Sequence, residues 1–329
     1  MNALVRGLAA VVALLLPAAV QAAMPVTVSV PPQAYLVERI GGDRVDVSVM
    51  IESGGSPHTF SLAPRRLVAF DEARVYFKVG HPDFAFERRF LQHLESRRDD
   101  VQVVDLSQGV DVLAMQEHGG HGDDHAGHHD GHGAGEHGHE HDHDHDHDHE
   151  HHAEHGDEAG HEGHAHGETD PHLWVSPAIM RAAAGRVAEA LIAADPAGEA
   201  HYRDGLEAVR AEIDALDEDI RDLLGGLERR RFVVNHPGWG YFARDYDLEQ
   251  VAIESGGRDP SPSQLAGFIE QARQEEVQVI FVQQGFSERS ARTIAEEIGA
   301  VVATADPLAR DWAGNLRRFA EAIHDAETR

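Results

Sequence analysis

The sequence predicts an α/β protein of two lobes, each a mostly parallel sheet flanked by helices, joined by one long backbone helix and interrupted by a disordered His-rich loop. Three observations predict it. Short runs rich in Val, Ile and Phe alternate with stretches of helical periodicity, the pattern of parallel strands covered by helices. Midway along the 329 residues, one apolar stripe keeps spacings of three and four over about 28 positions. From Glu117 to Glu168, by contrast, almost no apolar side chain occurs, so that segment cannot bury enough surface to fold.

At the start of the chain, Arg6 precedes an apolar run from Leu8 to Leu16. Small residues follow at Ala18, Ala19, Ala22 and Ala23. This is the pattern of a cleavable secretory signal over residues 1–23. The run is too short for a membrane span, which needs about 20 residues. No cysteine is present, so disulfides, thiolate metal ligands and a lipid-modified cysteine are all excluded. The expected location is the periplasm.

The N-terminal lobe is expected over residues 24–194, with strands at 26–30, 45–51, 75–79 and 101–104. The C-terminal lobe is expected over 227–329, with strands at 232–235, 248–253, 277–282 and 300–304 and helices at 264–275 and 288–298. Between them, in residues 195–226, lies the linking helix, expected over 197–224. Leu206, Val209, Ile213, Leu216, Ile220, Leu223 and Leu224 share one face of it. Asp195-Pro196 suits its start and Gly225-Gly226 its end. At 1.5 Å per residue it would run roughly 40 Å, long enough to brace both lobes.

Charge narrows the choice of ligand. The net charge of −30 excludes nucleic acid and anionic membrane as partners, because both are bound through an excess of Lys and Arg. Cationic ligands fit better. The loop 117–168 holds 19 of the 26 His and 16 of the 58 acidic residues, with no Lys or Arg. From His141 to His149 imidazoles and carboxylates alternate, so an extended chain carries one kind on each side. Neutral imidazole with carboxylate is the donor set of borderline divalent metals. A flexible loop loses entropy on closing around an ion, so its zinc sites would be multiple and weaker than a preformed one. The alternative is a solvated acidic linker.

Seven His lie outside the loop: His58, His81, His93, His172, His201, His236 and His324. His58 follows a strand and the turn-forming run Gly54-Gly55-Ser56-Pro57. His172 falls in Asp170-Pro171-His172-Leu173-Trp174, where the chain re-enters order after the loop. His236 ends the strand Phe232-Val233-Val234-Asn235 and precedes Pro237-Gly238-Trp239-Gly240. Asp306 follows the strand ending at Thr304 and precedes Pro307-Leu308. Ligands of open α/β sheets bind outside the carboxyl ends of strands, so these four residues are candidates to converge in a cleft between lobes. Three imidazoles and a carboxylate make a closed tetrahedral zinc site. His81, His93, His201 and His324 are read as ordinary surface histidines in helices or polar turns.

At these residues the chain resembles the cluster A-I solute-binding proteins of zinc and manganese ABC importers, in particular the ZnuA-type zinc branch. The resemblance covers nearly the whole mature chain. It is carried by Ser56-Pro57-His58-Thr59-Phe60-Ser61-Leu62, by Asp170-Pro171-His172-Leu173-Trp174-Val175-Ser176-Pro177 and by Asn235-His236-Pro237-Gly238-Trp239-Gly240-Tyr241-Phe242. Asp259-Pro260-Ser261-Pro262 and Asp306-Pro307-Leu308 belong to it as well.

The resemblance implies a metal held between two lobes joined by a long helix, with His58, His172 and His236 as ligands. It further implies Zn2+ as the transported ligand and, as partners, an inner-membrane ABC permease with its cytoplasmic ATPase and a periplasmic zinc chaperone, the protein itself acting as a monomer. Manganese members usually carry a carboxylate where His236 stands, so zinc is favoured over manganese. Many members have Glu-Pro-Gln-Phe where this chain reads Gln283-Gln284-Gly285-Phe286, which leaves Asp306 or water to complete the shell. Two other readings remain open at this point. One is a periplasmic metal buffer or adhesin; the other is a zinc hydrolase, which would need an open coordination position and a general base.

Overall fold

Two four-stranded parallel sheets with one connectivity underlie the fold. The first contains β1 (Met24–Val28), β2 (Val45–Val49), β3 (Val75–Lys78) and β4 (Gln102–Asp105) in the order β2-β1-β3-β4. The second contains β5 (Arg231–Val234), β6 (Glu249–Ala252), β7 (Val279–Val282) and β8 (Val301–Thr304) in the order β6-β5-β7-β8. In each, the chain steps outward once and then crosses back. The point where strand order reverses therefore lies beside β1 in one sheet and β5 in the other. The computed structural model describes residues 22–51, 71–82, 84–95, 100–115, 169–254, 260–283 and 288–328. His58, the His-rich loop and nearly all of the expected signal lie outside them. All eight expected strands are present, with ends within two residues of expectation.

Strand alternation explains the two cores. On β5, Phe232 and Val234 face the main core shared by both lobes, while Val233 faces a smaller one. Similarly, Val279 and Phe281 of β7 alternate with Ile280 and Val282. The smaller core is closed by α6 (Pro262–Gln274) and α7 (Arg289–Ile298), through Phe268, Ala272, Ala291 and Ile294. Ser261 caps α6, accepting from the Gln264 backbone N–H at 3.4 Å while Gln264 returns its amide oxygen to Ser261 N–H at 2.9 Å. Pro260-Ser261-Pro262 of the quoted motif thus starts a helix, and Asp259 lies outside the described residues. Among the described residues, the remaining helices are α1 (Pro31–Gly41), α2 (Ala85–Glu95), α3 (Pro177–Ala194), α4 (Glu199–Leu224), α5 (Gly240–Asp245) and α8 (Trp312–Glu327).

The linking helix is α4. It spans 26 residues, about 39 Å, and buries Tyr202, Val209, Ile213, Leu216, Ile220 and Leu224 at the expected spacing. It begins two residues later than its sequence signals suggest, because Pro196–Gly198 forms a separate 3-10 turn. Asp195 is turned to other use, accepting from Arg44 and from the Tyr202 hydroxyl. α4 packs on α1 and α3 on the first-lobe side and on α8 on the second. Gly205 permits the close crossing with α1: a methyl there would meet the Ile40 carbonyl oxygen at 2.7 Å. Among the described residues no helix is long and apolar enough to cross a membrane.

One expectation is corrected. His81 is buried at 2% exposure, not a surface residue. Gly80, at φ +86°, reverses the chain after β3 and tucks the next residue under the start of α2, where its carbonyl accepts from Phe84 N–H. His201 is exposed on α4, with its Nε2 2.9 Å from the Gly41 carbonyl. His324 is half-buried against the Leu223 carbonyl, 3.0 Å away. The His93 side chain lies outside the described residues.

Candidate metal centre

His236 reaches the centre because β5 ends two residues before it, at the reversal point of the second sheet. The parallel register pairs Val234 with Ala252, so His236 and Glu254, each two residues further on, come level. Glu254 is buried and bridges two neighbours: Oε1 accepts from Asn235 Nδ2 at 2.7 Å, and Oε2 lies 3.3 Å from His236 Nδ1. A carboxylate only accepts, so Nδ1 carries the proton and the lone pair is on Nε2, at the opposite edge of the ring.

His172 is held by a shorter device. Asp170 Oδ1 accepts from both the His172 backbone N–H at 2.9 Å and its Nδ1 at 2.8 Å, which fixes ring and tautomer within three residues. The segment itself is pinned. Asp170 N–H donates to the Leu113 carbonyl, Ala114 pairs with Thr169, and the Tyr241 hydroxyl donates to the Asp170 carbonyl while accepting from Leu113 N–H. The two chain ends that border the His-rich loop are therefore tied together beside His172, by a residue from the helix that follows His236.

The two imidazoles meet. Their ring centroids are 5.3 Å apart at 75°, and the residues are 1% and 6% exposed, so both sit in a region from which water is largely excluded. Burial is the main cause that pushes the His236 pKa below its ordinary value. The hydrogen bond to Glu254 opposes the shift, and the neighbouring His172 adds to it. The neutral ring, the form that donates to a metal, is thereby favoured.

The segment that carries Asp306 comes to the same place through Pro307. A methyl placed on Gly238 would lie 3.4 Å from His172 Cδ2 and Nε2 and 3.4 Å from Pro307 Cγ, so segments carrying His236, His172 and Asp306 converge on one point. The Asp306 carboxyl is half-buried, which raises its pKa, and Oδ1 accepts from Leu308 N–H at 2.9 Å, which lowers it. Among the described residues no group of three or more His, Asp or Glu side chains converges closely enough to hold a metal ion. Of the four candidates, then, His172 and His236 are brought together, Asp306 is adjacent through Pro307, and His58 lies outside the described residues.

Two carboxylates that touch the imidazoles, Glu254 and Asp170, lie outside the four candidates. Glu254 follows a strand, the same signal that singled out His236 and Asp306. Asp170 stood in a quoted motif, but its bond to the imidazole depends on a local turn.

Comparison with known proteins gives the family. Residues 26–326 match the family model described as "Zinc-uptake complex component A periplasmic", ZnuA. The chain is 38% identical over 238 residues to the high-affinity zinc uptake system protein ZnuA of Paracoccus denitrificans, covering 72% of this chain and 68% of that one. A crystal structure of ZnuA superposes with a TM-score of 0.74 at 34% identity, covering 93% of this chain and 99% of the other. A ZnuA deletion mutant solved with zinc bound gives 0.73 at 33%, covering 93% and 98%. The chain belongs to the ZnuA family, the zinc-binding solute-binding proteins of zinc uptake.

Proposed function

We propose that this protein captures Zn2+ in the periplasm, holds it between its two lobes through His58, His172, His236 and Asp306, and delivers it to a membrane ABC permease driven by a cytoplasmic ATPase. One observation carries the reading. Two buried imidazoles meet edge-on, each with Nδ1 turned to a buried carboxylate and Nε2 on the opposite edge of the ring. Carboxylate partners of this kind orient metal-bound histidines and raise their basicity. An ordinary core histidine pair would have no need of two buried acids.

Capture without chemistry suits the centre. Three nitrogen donors and one carboxylate oxygen fill a tetrahedral shell, leaving no position for a substrate water. The nitrogen-rich set favours zinc over manganese. The test is competitive zinc titration against a chelator for the full chain and for His58→Ala, His172→Ala, His236→Ala and Asp306→Ala. A single tight site in the parent chain, lost in each His variant, is the expected result. Equal affinity in the parent and in His236→Ala would overturn the reading.

A further inference from the structure

The segment carrying His172 is bonded to the segment carrying Asp306 by one buried indole. Trp174, 2% exposed, donates its Nε1–H to the Pro307 carbonyl at 2.7 Å. It lies two residues from His172 and its ring meets that imidazole edge-on, centroids 5.4 Å apart at 69°. Its acceptor is the residue next to Asp306. Two short lengths of backbone and one hydrogen bond therefore span the distance between two proposed ligands from different lobes.

The indole is itself held in place. Trp312 donates its own Nε1–H to the Trp174 carbonyl at 2.7 Å, so side chain and backbone of Trp174 both engage the second lobe. Trp312 stacks obliquely on Tyr35 of α1, centroids 5.1 Å apart, and Phe84 packs on the Trp174 ring. From the other side, Asn315 Nδ2 donates to the Asp306 carbonyl at 2.8 Å. An indole N–H buried this deeply needs an acceptor, and the buried Pro307 carbonyl needs its donor. The strand-end turn at Asp306 thus has its position set by Trp174 rather than by its own lobe alone.

We propose that Trp174 is a positioning residue of the metal centre, its indole N–H setting how far Asp306 reaches toward an ion bound by His172 and His236. The inference rests on the proposed ligand role of Asp306. A carboxylate held at fixed reach completes a small tetrahedral shell; one that can shift also accommodates the larger shells that manganese prefers. Trp174 is accordingly a determinant of metal selectivity as well as of affinity.

The test is a double-mutant cycle on the full-length mature protein, read by chelator competition with Zn2+ and Mn2+ and by Co2+ ligand-field absorption. Trp174→Phe keeps a ring against His172 and Phe84 and removes only the donor. It is expected to lower zinc affinity about tenfold, the scale of an outer partner of a metal site, to narrow the zinc-to-manganese ratio and to weaken the tetrahedral Co2+ bands. In an Asp306→Ala background the same change should cost nothing further.

A loss from Trp174→Phe that persists undiminished in Asp306→Ala would overturn the inference, as would no loss at all when Asp306→Ala is impaired. If Asp306→Ala itself binds zinc normally, the carboxylate reading fails and the positioning role falls with it. Should Trp174→Phe not fold, hydrogen exchange of the Trp174 indole proton in the parent chain decides. At free zinc ten times Kd, exchange about tenfold slower than in the metal-free protein supports the bond as part of the loaded centre, and unchanged exchange contradicts it.

Discussion

His236 and Glu254 stand level at the ends of adjacent parallel strands, with Nδ1 of one 3.3 Å from Oε2 of the other, although neither strand contains both. The pairing gives the imidazole a fixed tautomer and a buried counter-charge without using up the nitrogen that would face an ion. Asp170 does the same for His172 at 2.8 Å.

Glu254→Gln should therefore weaken zinc binding by about tenfold, and Asp170→Asn by as much or more, since Asp170 also holds the His172 backbone N–H. Chelator competition measures both. Zinc affinities unchanged in the two variants would mean that the carboxylates are structural only.

The acid sensitivity of the metal-free protein has a defined sign. Burial holds the folded His236 pKa below 6.5, so as pH falls through 6.5 the unfolded chain takes up a proton that the folded ring refuses. Stability is lost from there down to the folded pKa and is constant beyond it. Denaturant midpoints measured at pH 7.5 and 5.5 should fall less in His236→Gln than in the parent. Zinc affinity should hold steady through neutral pH and decline only as the pH approaches the lowered folded pKa of His236, where protons begin to compete for the imidazole.

Glu87 works in the opposite direction. Its carboxyl is buried beneath Ser29 and accepts from the backbone N–H groups of Val79 and Gly80, and burial pushes its pKa up to about 7. Between pH 7 and its unfolded value of 4.5 the folded state binds the extra proton, so this group adds stability as pH falls through that window and withdraws it above. Glu87→Gln should flatten this component of the stability profile. An unaltered pH profile in that variant would show the carboxyl to be ionised throughout.

Removal of residues 117–168 should leave the tight site intact and abolish only weaker, multiple zinc binding. Leu113 and Ala114 are already tied to Asp170 and Thr169 through the backbone and Tyr241, so the ends on either side are positioned independently of what lies between them. Titration of the shortened chain measures this, and loss of the tightest site would contradict it.

Much of this was legible in the sequence, for physical reasons that particular residues illustrate. Val233 and its neighbours are β-branched or aromatic and alternate between two cores, so β5 announces itself; Leu206 to Leu224 repeats at helical spacing, so α4 does too. His172 and His236, which the structure brings together, stand at a proline-fixed turn and a strand end, the places where open α/β sheets put ligands. Glu254 was not, because its role depends on which strands are neighbours and in what register, which local pattern does not encode. His81 was misread for a related reason: the burial of a loop residue is decided by what the chain folds over it. The 3-10 turn at Pro196–Gly198 reflects a tertiary claim on Asp195 that outweighed its signal as a helix start.

Diffraction at the zinc absorption edge from crystals of the zinc-loaded protein tests the central claim most directly. The account predicts one strong anomalous peak about 2.0–2.1 Å from Nε2 of both His172 and His236, the ordinary zinc–imidazole distance. A loaded crystal with no peak between those two rings, or with its strongest peak elsewhere on the protein, would contradict it.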